Sequence, residues 1–320
     1  MKTFHSSSAL LAVVALSAGC VVSGKIQPTV DPGAPVDVST LWQEPADIAD
    51  RDLFHGPGGS ALIPDASIPF TFIQADETGF SPGFDVRGPD GMEWSVKTGP
   101  EAQTEVAASR ILWALGYHQP PTYYVTSWQM TGQQEGPQPA ARFRPKLTDR
   151  KVVGEWDWYE NEFLHTQPFK GLVVANVLLN NWDWKTSNNK IYEIDGDRVY
   201  MVQDLGASLG KTGYPRILAW LPMRGLGQGS RNNLEDFEQQ GFIEGVEGEQ
   251  VQFVYRGIHR SLLDLVTPAD VVWTAERMAS FTDAQWDDVF RAAGYQVDER
   301  RRYIAKIKSK IGEGLKVGLR

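Results

Sequence analysis

The residues of this chain that could do chemistry lie mainly in two short segments of its C-terminal half. The first segment reads Asp183-Trp184-Lys185-Thr186-Ser187-Asn188, and the second reads Asp204-Leu205-Gly206. A carboxylate can accept a proton, an ammonium group can offset negative charge, and carboxylate and amide oxygens can bind a divalent cation. Each segment alone is equally typical of a polar loop with Asx turns, so its meaning depends on the elements around it.

Regular elements flank both segments. A helical pattern begins at Pro168 and continues up to the first segment. Two β-rich runs, at 190–194 and 198–202, follow that segment. The Asp195-Gly196 pair between those runs is typical of a β-hairpin turn, and Asp204 comes directly after the second run. The predicted order is therefore helix, polar loop, hairpin and second polar turn.

A third candidate region lies near Lys97. The sequence predicts an antiparallel meander in which runs at 70–75, 84–87 and 92–97 are strands joined by Gly-containing turns. Alternation along the last strand places Ser95 and Lys97 on one face. This leaves room for a flat ring beside a cation, although an exposed lysine on an edge strand fits the same pattern.

A helix is predicted directly after that strand. Thr98-x-x-Glu101 fits a capping box, and Gly116 ends the apolar stripe. We therefore interpret Glu101 as a cap. Glu105 lies on the border of the stripe and has no such local role, so it can turn towards the sheet.

Taken together and in order, these segments resemble the protein-kinase-like superfamily. D-x-K-x-x-N at 183–188 resembles the kinase catalytic loop, and D-L-G-x-x-x-G at 204–210 is similar to the metal-binding motif of phosphoinositide kinases and their bacterial relatives. The resemblance implies an α+β, two-lobed fold. Residues 61–147 would form a small antiparallel-sheet N-lobe with one helix, and residues 148–320 a larger, mainly helical C-lobe.

The resemblance implies roles for the C-lobe residues. Asp183 would act as the base, and Lys185 would contact the γ-phosphate of ATP. Asn188 and Asp204 would bind Mg²⁺. The implied cofactors are ATP and Mg²⁺, with an unknown protein, glycan or lipid as phosphate acceptor.

The resemblance implies nucleotide-binding roles for the N-lobe residues as well. Lys97 would hold the α- and β-phosphates, with Glu105 as its partner. Gly79, Ser81 and Gly83 stand where the glycine-rich loop should be, although the full G-x-G-x-x-G pattern is missing.

Other departures limit what the resemblance implies. Asn181-Trp182 replaces the His-Arg pair before the catalytic aspartate, so the arginine that reads a phosphorylated activation loop is missing. No A-P-E motif follows Asp204, and residues 211–230 are instead rich in Gly and Pro. We therefore expect an atypical kinase that is not regulated in that way.

The N-terminus resembles a bacterial lipoprotein leader. A short apolar run follows Lys2 and ends in Leu16-Ser17-Ala18-Gly19-Cys20, with the leucine one position further from the cysteine than usual. The resemblance implies cleavage after residue 19, lipidation of Cys20 and sorting to the periplasmic side of the outer membrane. A plain secretory leader remains the alternative. Residues 20–60 are rich in Pro and Gly and predict a tether and an irregular arm.

Composition excludes several classes of function. The net charge of −9 argues against a nucleic-acid partner. A single cysteine and five scattered histidines argue against a disulfide or zinc site.

Three functions remain open on the sequence. The first is an envelope-anchored phosphotransferase, with nucleotidyl transfer as a variant of the same chemistry. The second is a pseudokinase-type binding lipoprotein without catalysis. The third is a glycan-binding envelope protein that uses tryptophans, for which the aromatic stretch 155–163 is either a sugar-stacking platform or a helix packed between the lobes.

Overall fold

The computed structural model describes residues 36–76, 81–133, 135–213 and 229–318. The chain forms a curled sheet with one long helix in its N-terminal part and a mainly helical C-terminal part. The α+β arrangement expected from the sequence, with a sheet-based first part and a mainly helical second part, is therefore confirmed. The lipoprotein leader, Cys20 and Gly79 lie outside the described residues. Among the described helices, none combines the length and the apolar character needed to cross a bilayer.

The N-lobe is built on one curled sheet. Its strands are β1 (Phe70–Asp76), β2 (Gly83–Arg87), β3 (Glu93–Thr98), β4 (Tyr123–Val125), β5 (Trp128–Thr131), β6 (Gly136–Gln138) and β7 (Ala141–Pro145). They lie in the order β4-β7-β3-β2-β1-β5-β6, and neighbours are antiparallel except β1 and β5. One sheet face is apolar because alternate residues such as Trp94 and Val96 pack around the rings of Phe70, Trp128 and Phe143. The other face, which carries Lys97, is left for the cleft.

Helix α1 (Glu101–Ala114) joins the N-lobe to the C-lobe. Its residues 106–108, 111 and 112 are fully buried and belong to the main core, which continues into the C-lobe. This burial fixes the direction of the carboxylates on the first two turns of the helix.

The C-lobe surrounds a buried central helix. Its helices are α2 (Gln167–Leu178), α3 (Leu234–Gln239), α4 (Pro268–Ala279), α5 (Asp283–Ala292) and α6 (Val297–Val317). Its strands are β8 (Arg150–Glu155), β9 (Asn189–Ile194), β10 (Asp197–Val202), β11 (Ile243–Glu247) and β12 (Gln250–Phe253). Helix α2 is buried from Gly171 to Leu178 because it is apolar on all sides. The hairpin β9–β10 turns at Asp195-Gly196 and delivers the chain directly to Asp204.

The arm before β1 packs across both lobes. The Trp42 indole donates to the Leu115 carbonyl at 2.7 Å, just beyond the end of α1. The Gln285 amide of α5 donates to the carbonyls of residues 48, 49 and 51 at 2.7–3.2 Å. The described part of the arm is therefore docked on the domain.

Two local expectations were wrong. The aromatic stretch 155–163 is not helical, but Trp156 and Trp158 are buried, so it packs in the core and offers no tryptophan platform for a sugar. The capping box at Thr98 is absent: α1 begins at Glu101 with Pro100 as its N-cap and no side-chain cap.

Candidate active site

Lys97 lies at the centre of the candidate site. Its ammonium group forms ion pairs with Asp204 and, at 3.3 Å, with Glu105. A third carboxylate oxygen, of Glu101, lies 3.6 Å away. Burial lowers the pKa of Lys97, but Glu105 and Asp204 outweigh it and raise that pKa above its ordinary value. The lysine is therefore a permanent cation facing the cleft.

Glu105 is a buried anion surrounded by cations. Arg142 lies 3.1 Å from its carboxylate, Arg144 donates a hydrogen bond to it, and Lys97 approaches from the third side. Burial raises the pKa of Glu105, but Arg142, Lys97 and Arg144 together bring it far below its ordinary value. The carboxylate is thus ionised at any physiological pH and orients Lys97.

Asp204 and Asn188 lie on the opposite wall of the same cleft. Asp204 has a left-handed backbone (φ 55°), which points its half-exposed side chain at Lys97. The Asn188 amide donates to the Asp183 carbonyl at 2.8 Å, while its Oδ1 accepts no hydrogen bond from the described residues. The cleft has a volume of about 290 Å³.

The set of oxygen donors fits Mg²⁺ bound together with phosphate groups. Among the described residues, no three His, Cys, Asp or Glu side chains cluster as a complete metal site. One carboxylate and one amide oxygen, from Asp204 and Asn188, nevertheless flank the cleft. Mg²⁺ is typically held by one or two protein carboxylates plus substrate phosphates, so these residues suit a cation that arrives with a nucleotide.

Asp183 and Lys185 lie beside the cleft and do not line it. The Lys185 ammonium pairs with the Asp183 carboxylate at 2.8 Å, and that carboxylate is 20% exposed. Asn181 accepts a hydrogen bond from the Asp183 amide at 3.3 Å and donates to Asn176 of α2 at 2.8 Å. The loop is therefore anchored to the core helix, with its carboxylate partly exposed to solvent.

The glycine turn contributes Ser81 and Gly83 to the cleft lining. The Ser81 hydroxyl donates to Glu101 at 2.9 Å, and Gly83 pairs with Lys97 across β2 and β3. Glu101, which the sequence assigned to capping, is instead a buried member of the site and carries an ion pair with Arg231. The capping interpretation failed because Thr98 bonds the Pro82 carbonyl across the sheet.

Arg142 and Arg144 were missed, although the sequence carried a signal for them. They alternate with Phe143 on β7, and β7 pairs with β3 so that Arg142 lies opposite Lys97. The i and i+2 spacing is the sequence signal that both cations share one face of their strand; that this is the face of Lys97 follows only from the pairing with β3. Glu101 and Arg231 gave no comparable signal, because only tertiary packing brings residues 101 and 231 together.

The glycines of D-L-G-x-x-x-G are required by close packing. A Cβ on Gly206 would lie 2.6 Å from the Cβ of Glu101, and one on Gly210 would lie 2.3 Å from the Ser230 carbonyl oxygen. The Thr104 hydroxyl donates to the Gly206 carbonyl at 2.8 Å. The turn after Asp204 is thereby fixed against the first turn of α1.

Further cavities lie outside this cleft among the described residues. One of about 200 Å³ shares Ser95 and Arg144 with it and is otherwise largely apolar, with Leu147, Val152 and Met201 among its walls. A larger one of about 330 Å³ lies between β12 and residues 260–264 and contains none of the residues singled out by the sequence. The smaller cavity is therefore the one placed to extend the candidate site.

Comparisons with known proteins give a likeness to solved structures and no sequence relative. No family model matches the chain, and no curated protein sequence matches it significantly. Among solved structures, it is similar to the Helicobacter pylori proinflammatory kinase CtkA, with 11% sequence identity and a TM-score of 0.47. The alignment covers 79% of this chain and 98% of that chain. At this identity the likeness concerns chain architecture and says nothing about individual side chains.

Proposed function

We propose that this chain is a magnesium-dependent, ATP-binding phosphotransferase of an atypical kinase type. The observation that carries the proposal is the convergence of Lys97, Glu105, Asn188 and Asp204 on one cleft. Lys97 and Asp204 are 107 positions apart in the chain yet form an ion pair. A structural salt bridge does not need an amide oxygen and an anchored neighbouring carboxylate beside it, whereas phosphoryl transfer does.

The two adjoining cavities suit the two ends of a nucleotide. The polar cleft would take the phosphates against Lys97, and the apolar cavity beyond Ser95 would take the ring. Asp204 and Asn188 would hold Mg²⁺, which would supply charge neutralisation across the phosphates. Asp204 would exchange its present bond to Lys97 for that role.

The remaining residues suit the transfer itself. The acceptor hydroxyl would lose its proton to Asp183 as its oxygen bonds to the γ-phosphorus, and the bond from that phosphorus to the ADP oxygen would break. Lys185, paired with Asp183 at 2.8 Å, would offset charge on the transferring group. The acceptor would be a protein, glycan or lipid at the cell envelope, where lipidated Cys20 would anchor the chain to the outer membrane.

One observation favours a second candidate, a nucleotide-binding protein without catalysis. Asp183 does not line the cleft, and its carboxylate is paired with Lys185. Such a protein would keep metal-dependent nucleotide binding and lack turnover. The tryptophan-based glycan hypothesis has less support, because Trp156, Trp158 and Trp184 are buried.

The experiment is a nucleotide and metal thermal-shift panel on the full-length protein in detergent, followed by a transfer assay. Wild type should be stabilised by ATP with Mg²⁺, and Asp204→Ala should remove that metal-dependent shift. Asp298→Ala, at a side chain that is 92% exposed, is the control and should behave as wild type. No shift at millimolar nucleotide would refute the proposal.

Turnover distinguishes the two candidates. Asp183→Asn should keep the nucleotide shift and lose transfer of label from γ-labelled ATP. Equal transfer by both proteins would refute the role of Asp183, and binding without transfer in wild type would establish the second candidate. Transfer of label from α-labelled ATP alone would indicate a nucleotidyl transferase.

A further inference from the structure

Arg231 lies between the catalytic loop and helix α1. Its guanidinium forms an ion pair with Glu101 and lies 4.7 Å from the centre of the Trp182 ring. Both charged side chains are largely buried, with 13% of Arg231 and 7% of Glu101 exposed. A buried, charge-assisted pair is stronger and less screened by salt than a surface pair.

The chain is held on both sides of Arg231. The Trp182 indole donates to the Ser230 carbonyl at 2.9 Å, and the Asn232 side-chain amide donates to the Gln103 side chain of α1 at 3.1 Å. A Cβ on Gly229 would lie 2.9 Å from the Trp182 ring. Arg231 is therefore held in place by the packing and hydrogen bonds of its neighbours, and it does not reach Glu101 from a mobile surface position.

Trp182 and Glu101, which both contact Arg231, each adjoin a residue of the proposed chemistry. Trp182 immediately precedes Asp183 in the chain. Glu101 lies 3.6 Å from the Lys97 ammonium, against 3.3 Å for Glu105. Without Arg231, Glu101 would keep only the Ser81 hydroxyl and the more distant Lys97 as partners, so its charge would compete for Lys97 and repel phosphate.

We propose that Arg231 is a positioning residue that couples the catalytic loop to Lys97 through Trp182 and Glu101. The inference rests on the proposed function and deepens it. In the sequence, Trp182 stands where the resemblance expects an arginine that reads a phosphorylated segment. In this structure the cation is Arg231, which contacts the Trp182 ring. Its charge is independent of phosphorylation, so this contact replaces one that would require a phosphate group.

The test is a set of variants whose effects depend on one another. Arg231→Met should weaken Mg·ATP binding and raise KM by roughly tenfold, a size common for residues in one network. Arg231→Lys should retain most of the affinity because the charge is kept. Adding Glu101→Gln to Arg231→Met should restore affinity to within about threefold of wild type, because the anion that competes for Lys97 is gone.

The control is Arg301→Met, at an arginine side chain that is 76% exposed, which should leave affinity unchanged. A purely structural role predicts that the double variant is as weak as Arg231→Met or weaker, and that result would overturn the proposal. Unchanged affinity in Arg231→Met would overturn it too. Phosphatase treatment should leave the nucleotide affinity of wild type unchanged. A loss of affinity would contradict the proposal, because the contacts of Arg231 need no phosphate group.

A separate measurement decides the proposal if wild type binds no nucleotide, in which case the proposed function fails by itself. Hydrogen exchange without ligand should increase in Arg231→Met at residues 101–104 and also at 181–184. Increased exchange in both segments supports the coupling. Unchanged exchange in either one overturns it.

Discussion

Neutralising Glu105 should destabilise the domain more than the loss of any surface charge. In Glu105→Gln the shape of the side chain is kept, but Arg142, Arg144 and Lys97 lose their shared buried anion. Removing one partner of a buried ion pair costs about 3–5 kcal/mol, because the remaining charge stays buried without compensation. We expect a loss of that size, or a fall in melting temperature on the order of 10 °C.

The assay is urea unfolding of the full-length protein beside a matched control, Glu93→Gln. Glu93 pairs with Arg87 at 2.7 Å, but its side chain is 39% exposed, so this change should cost about 0–1 kcal/mol. If both variants lose similar stability, the idea that Glu105 holds the three cations together is wrong.

The stabilities of wild type and Glu105→Gln should depend differently on pH. The folded-state pKa of Glu105 is depressed below its ordinary value of 4.5. A depressed carboxyl pKa contributes stability that is complete above pH 4.5 and is lost as the pH falls below it. The stability difference between wild type and Glu105→Gln should therefore be constant above that pH and shrink in acid. A difference that stays constant down to pH 3 (about 1.5 units below the ordinary pKa) would refute the assignment.

Two further predictions concern the elements around the site. Gly206→Ala should lower the unfolding free energy by about 1–3 kcal/mol, because its Cβ would lie 2.6 Å from that of Glu101. The control is Gly245→Ala, whose Cβ would have no atom within 4 Å and which should change that free energy little. Equal effects of the two variants in urea unfolding would contradict the packing argument. Burial lowers the pKa of Lys310 well below its ordinary value of 10.5, so wild-type stability should gain from rising pH up to that value. Lys310→Met should lack this gain, and parallel stability curves for the two proteins would refute it.

Much of the local structure could be predicted from the sequence because its signals are local. Helix α4 begins at Pro268 directly after its capping residue Thr267, and Thr282 caps α5, as hydroxyls before apolar-periodic runs do. The β9–β10 hairpin turns at its Asp-Gly pair because both residues there accept a positive φ. Errors occurred where a local signal competed with a distant partner, as when Thr98 bonded across the sheet and left Glu101 for the cleft.

The sequence by itself determined the residue types of the candidate site, their order and the strand, helix and turn that carry each of them. This follows because periodicity and turn chemistry act over a few neighbouring residues. Only the tertiary structure decided which charges meet, since the pairing of β7 with β3 brings Arg142 to Lys97, and the docking of residues 229–232 brings Arg231 to Glu101. Such contacts depend on how lobes and loops pack around a shared core, and no short window of sequence encodes them.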